Sequence, residues 1–81
     1  MLQEIDKQVL KAIDDLFDSY QYGIPARVLA DKVNDIISER RLELVLRELK
    51  KDKWIDFAEG TAGSQSISGG IYSIKLLKLV R

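Results

Sequence analysis

Apolar residues recur at steps of three and four through the first twenty positions: Leu2, Ile5, Val9, Leu10, Ile13, Leu16, Phe17 and Tyr20. At about 100° per residue they share one face, with Glu4, Lys11, Asp14, Asp15 and Asp18 on the other. The spacing predicts a first amphipathic helix. Tyr22-Gly23-Ile24-Pro25 breaks the period. Gly23 permits a turn, and Pro25 holds Ile24 extended while suiting the first position of a new helix. A short second helix is expected from about Pro25 to Val33, packing Ala26, Leu29, Ala30 and Val33. Asn34 tolerates the left-handed conformation that ends helices.

Ser38 is a suitable N-cap for a third helix, with Ile37 and Leu42 at hydrophobic-staple spacing around it. Leu42, Val45, Leu46 and Leu49 form a stripe at i, i+3, i+4 and i+7, which carries the helix to about Lys51 or Asp52. Beyond it the pattern changes. Trp54, Ile55 and Phe57 are strand formers, and so is the run from Ile71 to Arg81. Between them, residues 59–70 hold four glycines and a single charge. The pattern predicts a hairpin whose loop of about twelve residues exceeds the usual length. Neither a repeat nor a second domain is visible.

Three helices followed by a hairpin, in this order, resemble the winged-helix family of helix-turn-helix proteins over nearly the whole chain. The segment Gly23-Ile-Pro-Ala-Arg-Val-Leu-Ala-Asp-Lys-Val33 is similar to the family's helix-turn-helix entry. There the resemblance makes Ile24 a short strand joining the hairpin and Leu29-Ala30 the buried pair of helix two. Ser38-Glu-Arg-Arg-Leu-Glu-Leu-Val-Leu-Arg-Glu-Leu49 is similar to its recognition helix. Lys53-Trp54-Ile55 falls where many members have Gly, an aromatic or aliphatic residue, and Ile. Lys53 departs from that Gly. The resemblance implies an α+β fold in one domain spanning 1–81: a helix-turn-helix at about 25–52, a two-stranded wing at about 54–80, and a short strand between helices one and two. It also implies double-stranded DNA as partner, read by helix three, in a small transcriptional or replication regulator.

The face of helix three bears on that implication. With the apolar stripe turned inward, Arg40, Leu44, Arg47 and Lys51 lie within roughly 35° of the outward direction. Arg40, Arg47 and Lys51 are thus the candidates for groove or phosphate contact, with Arg41 and Lys50 as flanking phosphate contacts and Lys53 and Lys75 as supporting charges. A plain solvated face is also rich in Arg, Lys and Glu. Leu44 can meet a thymine methyl group or centre a protein contact. The second functional reading is therefore a protein-interaction module that docks through Leu44 or the acidic first helix. The loop lacks Arg and Lys between Glu59 and Gly70. It is either a solvent loop or a phosphate contact made by the N–H groups of Gly60, Gly63, Gly69 and Gly70 with neighbouring Ser and Thr hydroxyls.

Charge sharpens the picture. Thirteen basic and thirteen acidic residues give a net charge of zero, which excludes binding driven by bulk positive charge. The charge is segregated, however: −3 over residues 1–18, and +3 over each of 40–53 and 60–81. There is no Cys and no His, so disulfides, Cys/His zinc sites, thiol nucleophiles and Ser-His-Asp triads are excluded. Asp14, Asp15 and Asp18 cluster as a solvated face does, and no carboxylate falls on an apolar face. Neither an enzyme, a metal nor another cofactor is expected. Without a signal-like N-terminus or a long apolar run, the expected setting is the cytoplasm.

The expected core joins Leu2, Ile5, Val9, Ile13, Leu16, Phe17, Leu29 and Val33 to the helix-three stripe and to Ile55, Phe57, Ile74 and Leu76. Strict alternation puts Ile71, Leu77 and Leu79 on one face of the last strand and Tyr72, Ile74, Leu76 and Val80 on the other. One set should stay exposed. Such an exposed strand or the long first helix can support a homodimer, unless the apolar end folds back on helix one.

Overall fold

The computed structural model describes residues 2–60 and 65–78. Among the described residues three α-helices and three strands follow one another as α1 (Glu4–Phe17), β1 (Ile24–Pro25), α2 (Ala26–Lys32), α3 (Glu39–Lys51), β2 (Ile55–Glu59) and β3 (Ile71–Leu76), with a short 3-10 turn at Ser68–Gly70 just before β3. The class is α+β. Leu79 and Val80 lie outside the described residues.

Local chemistry sets the boundaries. The Asp6 carboxylate accepts from the Gln3 backbone N–H at 2.9 Å, covering one donor that the first turn of α1 leaves free. At Gly23 the chain turns with φ 141°, and a side chain there would collide with Ser73 Oγ. Glycine is what lets β1 lie against β3. Pro25 ends β1 and α2 follows directly, one residue shorter at each end than its apolar pattern suggests. Ser38 Oγ accepts from the Arg41 N–H at 3.3 Å and caps α3.

The end of α3 is a two-bond C-cap. The Lys53 N–H donates to the Lys50 carbonyl at 3.0 Å, and the Trp54 N–H reaches back to Leu49 at 2.9 Å. Lys53 takes φ 64°, making it the one non-glycine residue with positive φ among those described. A lysine thus adopts the conformation that glycine favours at this position.

The sheet is antiparallel in the order β1-β3-β2, so the last strand is the central one. Ile24 pairs with Ile74 on one side, and Ile55 with Leu76 and Phe57 with Ile74 on the other. The register slips where Ala58 faces Ser73 but Glu59 faces Ile71, leaving Tyr72 as an extra residue. This bulge overturns strict alternation in β3. Ile71 and Ile74, three positions apart, are both fully buried, while Leu77, which shares Ile71's parity, is 57% exposed. The apolar excess of the last strand is thus mostly absorbed by the fold.

One core joins Val9, Leu10 and Ile13 of α1, Leu29 of α2, Leu42, Leu46 and Leu49 of α3, and Ile24, Ile55, Phe57, Ile71 and Ile74 of the sheet. Leu2, Ile5, Leu16, Phe17, Val45 and Leu76 pack at its rim, only partly buried. Leu10, on the apolar face but outside the expected core, and Ile67, which no pattern singled out, are both core residues. Ile67 matters most, because it anchors the Gly/Ser-rich segment. The Gly70 N–H donates to the Ile67 carbonyl, the Ile67 N–H to Ile71, and the Gly60 N–H to Gly70, all at 2.9–3.0 Å. Residues 65–70 fold back against the domain and are not a free solvent loop.

Candidate nucleic-acid interface

Once Leu42, Leu46 and Leu49 are buried, the rest of α3 divides into three surfaces. Toward the hairpin lie Glu39, Glu43, Arg47 and Lys50. Toward the start of α1 lie Arg41, Val45 and Glu48. Outward lie Arg40, Leu44 and Lys51. All of Arg40, Arg41, Leu44 and Lys51 are exposed, Leu44 to 62%. Among the described residues Arg40, Arg41, Lys51 and Lys53 make no ion pair.

The hairpin side is different. Arg47 Nε donates to Glu43 at 3.0 Å, and Nη1 donates to Glu59 at 3.1 Å from the end of β2. The guanidinium also lies 6.0 Å from the centre of the Phe57 ring. These carboxylates, Glu59 first, hold the Arg47 pKa above its ordinary value. Lys50 Nζ donates to the Phe57 carbonyl at 3.2 Å, approaches Asp56 at 3.5 Å and sits 4.3 Å above the Phe57 ring. Both residues thus tie α3 to the hairpin. Lys75 stands elsewhere, exposed on β3 across from Asp56, on the sheet face opposite Ile74.

A second set of contacts, not anticipated from the sequence, fastens the returning arm of the hairpin. Arg27 of α2 donates to Glu39 at 2.6 Å and to the Ser66 carbonyl at 2.9 Å. The other Glu39 oxygen accepts from the Ser68 N–H at 3.0 Å and from its hydroxyl at 3.2 Å. The Arg27 hydrogen bond, aided by its charge and by Ser68, holds the Glu39 carboxyl below the usual carboxylate range. The same contact raises the Arg27 pKa. Gly69, with φ 78°, lies against the ends of the Glu43 and Arg47 side chains, which would have to shift to admit a Cβ. Phosphate contact by this loop therefore loses most of its candidates. The N–H groups of Gly60 and Gly70 and both donors of Ser68 already have partners inside the protein, while Gly63 lies outside the described residues. Glu39 carried no apolar-pattern signal. Only its place one residue after a helix cap set it apart.

Two depressions flank the outward ridge. An open groove of about 440 Å³ runs between Leu2 and Asp6 at the start of α1 and Arg41, Leu44 and Glu48 of α3. A shallower one of about 400 Å³ is lined by Arg47, Lys50, Lys51, Phe57 and Glu59. Among the described residues no group of three or more acidic side chains is placed to hold a metal ion, and no helix is long and apolar enough to cross a membrane.

The ridge can meet a polyanion with Arg40 and Lys51, about three turns apart on one helix, with an apolar contact at Leu44 between them and Arg41 beside Arg40. Compared with protein-family models, with curated proteins and with solved structures, the chain matches none.

Proposed function

We propose that this domain is a winged helix that binds double-stranded DNA by laying the outward ridge of α3 in the major groove, as a small transcriptional or replication regulator. Arg40, Arg41 and Lys51 are the groove and phosphate contacts, Leu44 meets a thymine methyl group, and Lys53 adds charge at the end of the helix. One observation carries the reading: among the described residues the cations of the outward ridge stand exposed and without acidic partners, whereas Arg47 and Lys50, on the hairpin side of the same helix, are matched to carboxylates. Interspersed Glu and Lys on a merely solvated face pair among themselves at i,i+4. This ridge does not. Lys75, across the sheet, has no part in the contact.

The test is a titration of a mixed-sequence duplex at two salt concentrations. The chain binds at low salt, and Arg40→Glu/Lys51→Glu, which reverses two exposed charges, abolishes binding without lowering thermal stability. Lys7→Glu on α1 leaves binding unchanged. Absence of duplex binding by the wild-type chain at low salt overturns the reading. A protein-interaction role is the second reading, favoured by the exposed Leu44 beside the groove at the start of α1. In that case Leu44→Glu removes partner binding, and the double charge reversal has no duplex binding to remove.

A further inference from the structure

The shallow depression beside the ridge has the composition of an anion seat. Arg47, Lys50 and Lys51 line it with Phe57 and one acid, Glu59, while Glu43 and Asp56 pair with Arg47 and Lys50 beside it. Three cations converging on one small concavity suit a phosphate oxygen, which arginine contacts through its paired N–H donors. Yet the seat is already engaged. Glu59 Oε1 receives Arg47 Nη1 at 3.1 Å, and Glu43 takes Nε at 3.0 Å.

The charge count explains what this does. Arg47 with Glu43 and Glu59 is a triad of net −1, so the arginine of the seat presents a slightly negative surface to an approaching polyanion. Glu59 is the removable member. It comes from a different element, the end of β2, and its side chain is 44% exposed. Glu43 is only 21% exposed and sits one turn from Arg47 on α3 itself. A solvent-facing ion pair of this kind is weak and exchanges readily for another anion.

We infer that the carboxylate of Glu59 is an internal stand-in for a DNA backbone phosphate, occupying the Arg47–Lys50–Lys51 seat until a duplex phosphate displaces it. The inference rests on the DNA-binding reading above and concerns how that site is restrained. Glu59 thereby lowers affinity for any duplex and leaves discrimination to the ridge. The hairpin acts here through an acid, in place of the added cations its uncharged loop lacks.

The experiment is a double-mutant cycle read by fluorescence anisotropy on a labelled duplex, with wild type, Glu59→Gln, Arg47→Ala and the combined variant at two or more salt concentrations. Glu59→Gln keeps the side chain's shape and removes its charge. It should bind about eightfold more tightly near 0.1 M salt, with the log–log salt slope steeper by about 0.9, the signature of one added phosphate contact. In the combined variant that gain should vanish, because Arg47 is its agent. Wild-type binding with no tightening in Glu59→Gln overturns the inference and leaves the DNA reading standing. So does a gain that persists without Arg47. Binding by neither wild type nor Glu59→Gln overturns both. Should Glu59→Gln lower thermal stability appreciably, Glu59→Lys provides the second variant. It must tighten binding further, and weaker binding by a folded Glu59→Lys protein overturns the inference.

Discussion

Lys53 holds a left-handed conformation that costs a side-chain-bearing residue on the order of 1 kcal/mol and glycine almost nothing. Both C-cap hydrogen bonds pass through its backbone, so the conformation is required whatever residue stands there. Lys53→Gly should therefore raise stability by about 0.5 to 1 kcal/mol, several degrees of melting temperature for a domain of this size. Lys53→Val should lower it. Calorimetry on the three proteins settles the order. Glu39 makes a second residue-scale prediction. Its carboxyl titrates below the usual range, so its stabilising effect is complete above the unfolded value near 4.3 and is lost as pH falls through the lower folded value. Glu39→Gln should flatten the dependence of melting temperature on pH between about 5 and 3. Parallel curves for the two proteins would refute this account. Neither residue could be weighted correctly from the sequence. The αL requirement at position 53 is masked by a lysine, and the partners of Glu39 are 12 and 29 positions away.

At the scale of elements, β3 shows what periodicity can and cannot say. The three helices were legible because each buries one stripe at a constant angular step, and a stripe survives small errors at its ends. A strand's two faces exchange with every inserted residue. The extra residue at Tyr72 therefore put Ile71 inside against the strict pattern, and the bulge has no mark of its own in the sequence. Substitution separates the two descriptions. Ile71→Ala should cost about 2 to 4 kcal/mol and Leu77→Ala less than about 0.5, measured by urea unfolding. Strict alternation makes the two equal. The outer edge of β2 is the other element-scale feature. There the Phe57 N–H is met by the Asp56 carboxylate at 2.9 Å, and its carbonyl by Lys50 at 3.2 Å. Capped in this way, the edge offers little to a neighbouring strand. Lys50→Ala/Asp56→Ala should expose it and increase self-association, read by light scattering at high protein concentration.

For the whole molecule, the balance of charge sets the strength of any DNA complex. The three proposed contact residues Arg40, Arg41 and Lys51 imply about three phosphate contacts and a log–log salt slope near −3. Affinity should then fall roughly fortyfold between 50 and 200 mM salt, a mild dependence beside that of proteins making six to ten such contacts. A slope steeper than about −6 would mean that the ridge is not the contact surface. Angular positions put Arg40, Leu44 and Lys51 on the exposed side of helix three, as found, but also Arg47, which the structure holds half-buried on the hairpin side. What angular positions could not reveal is which cations of the helix meet acids from other elements, and the Arg47–Glu59 pair is the case in point. The sheet has one more consequence, in time instead of space. β3 is both the last strand in the sequence and the strand between the other two, with Ile24 waiting fifty positions for Ile74. On the ribosome, β1 and β2 can find no strand partner until residues 71–76 have left the exit tunnel. The sheet can therefore close only late, once β3 is available to both neighbours.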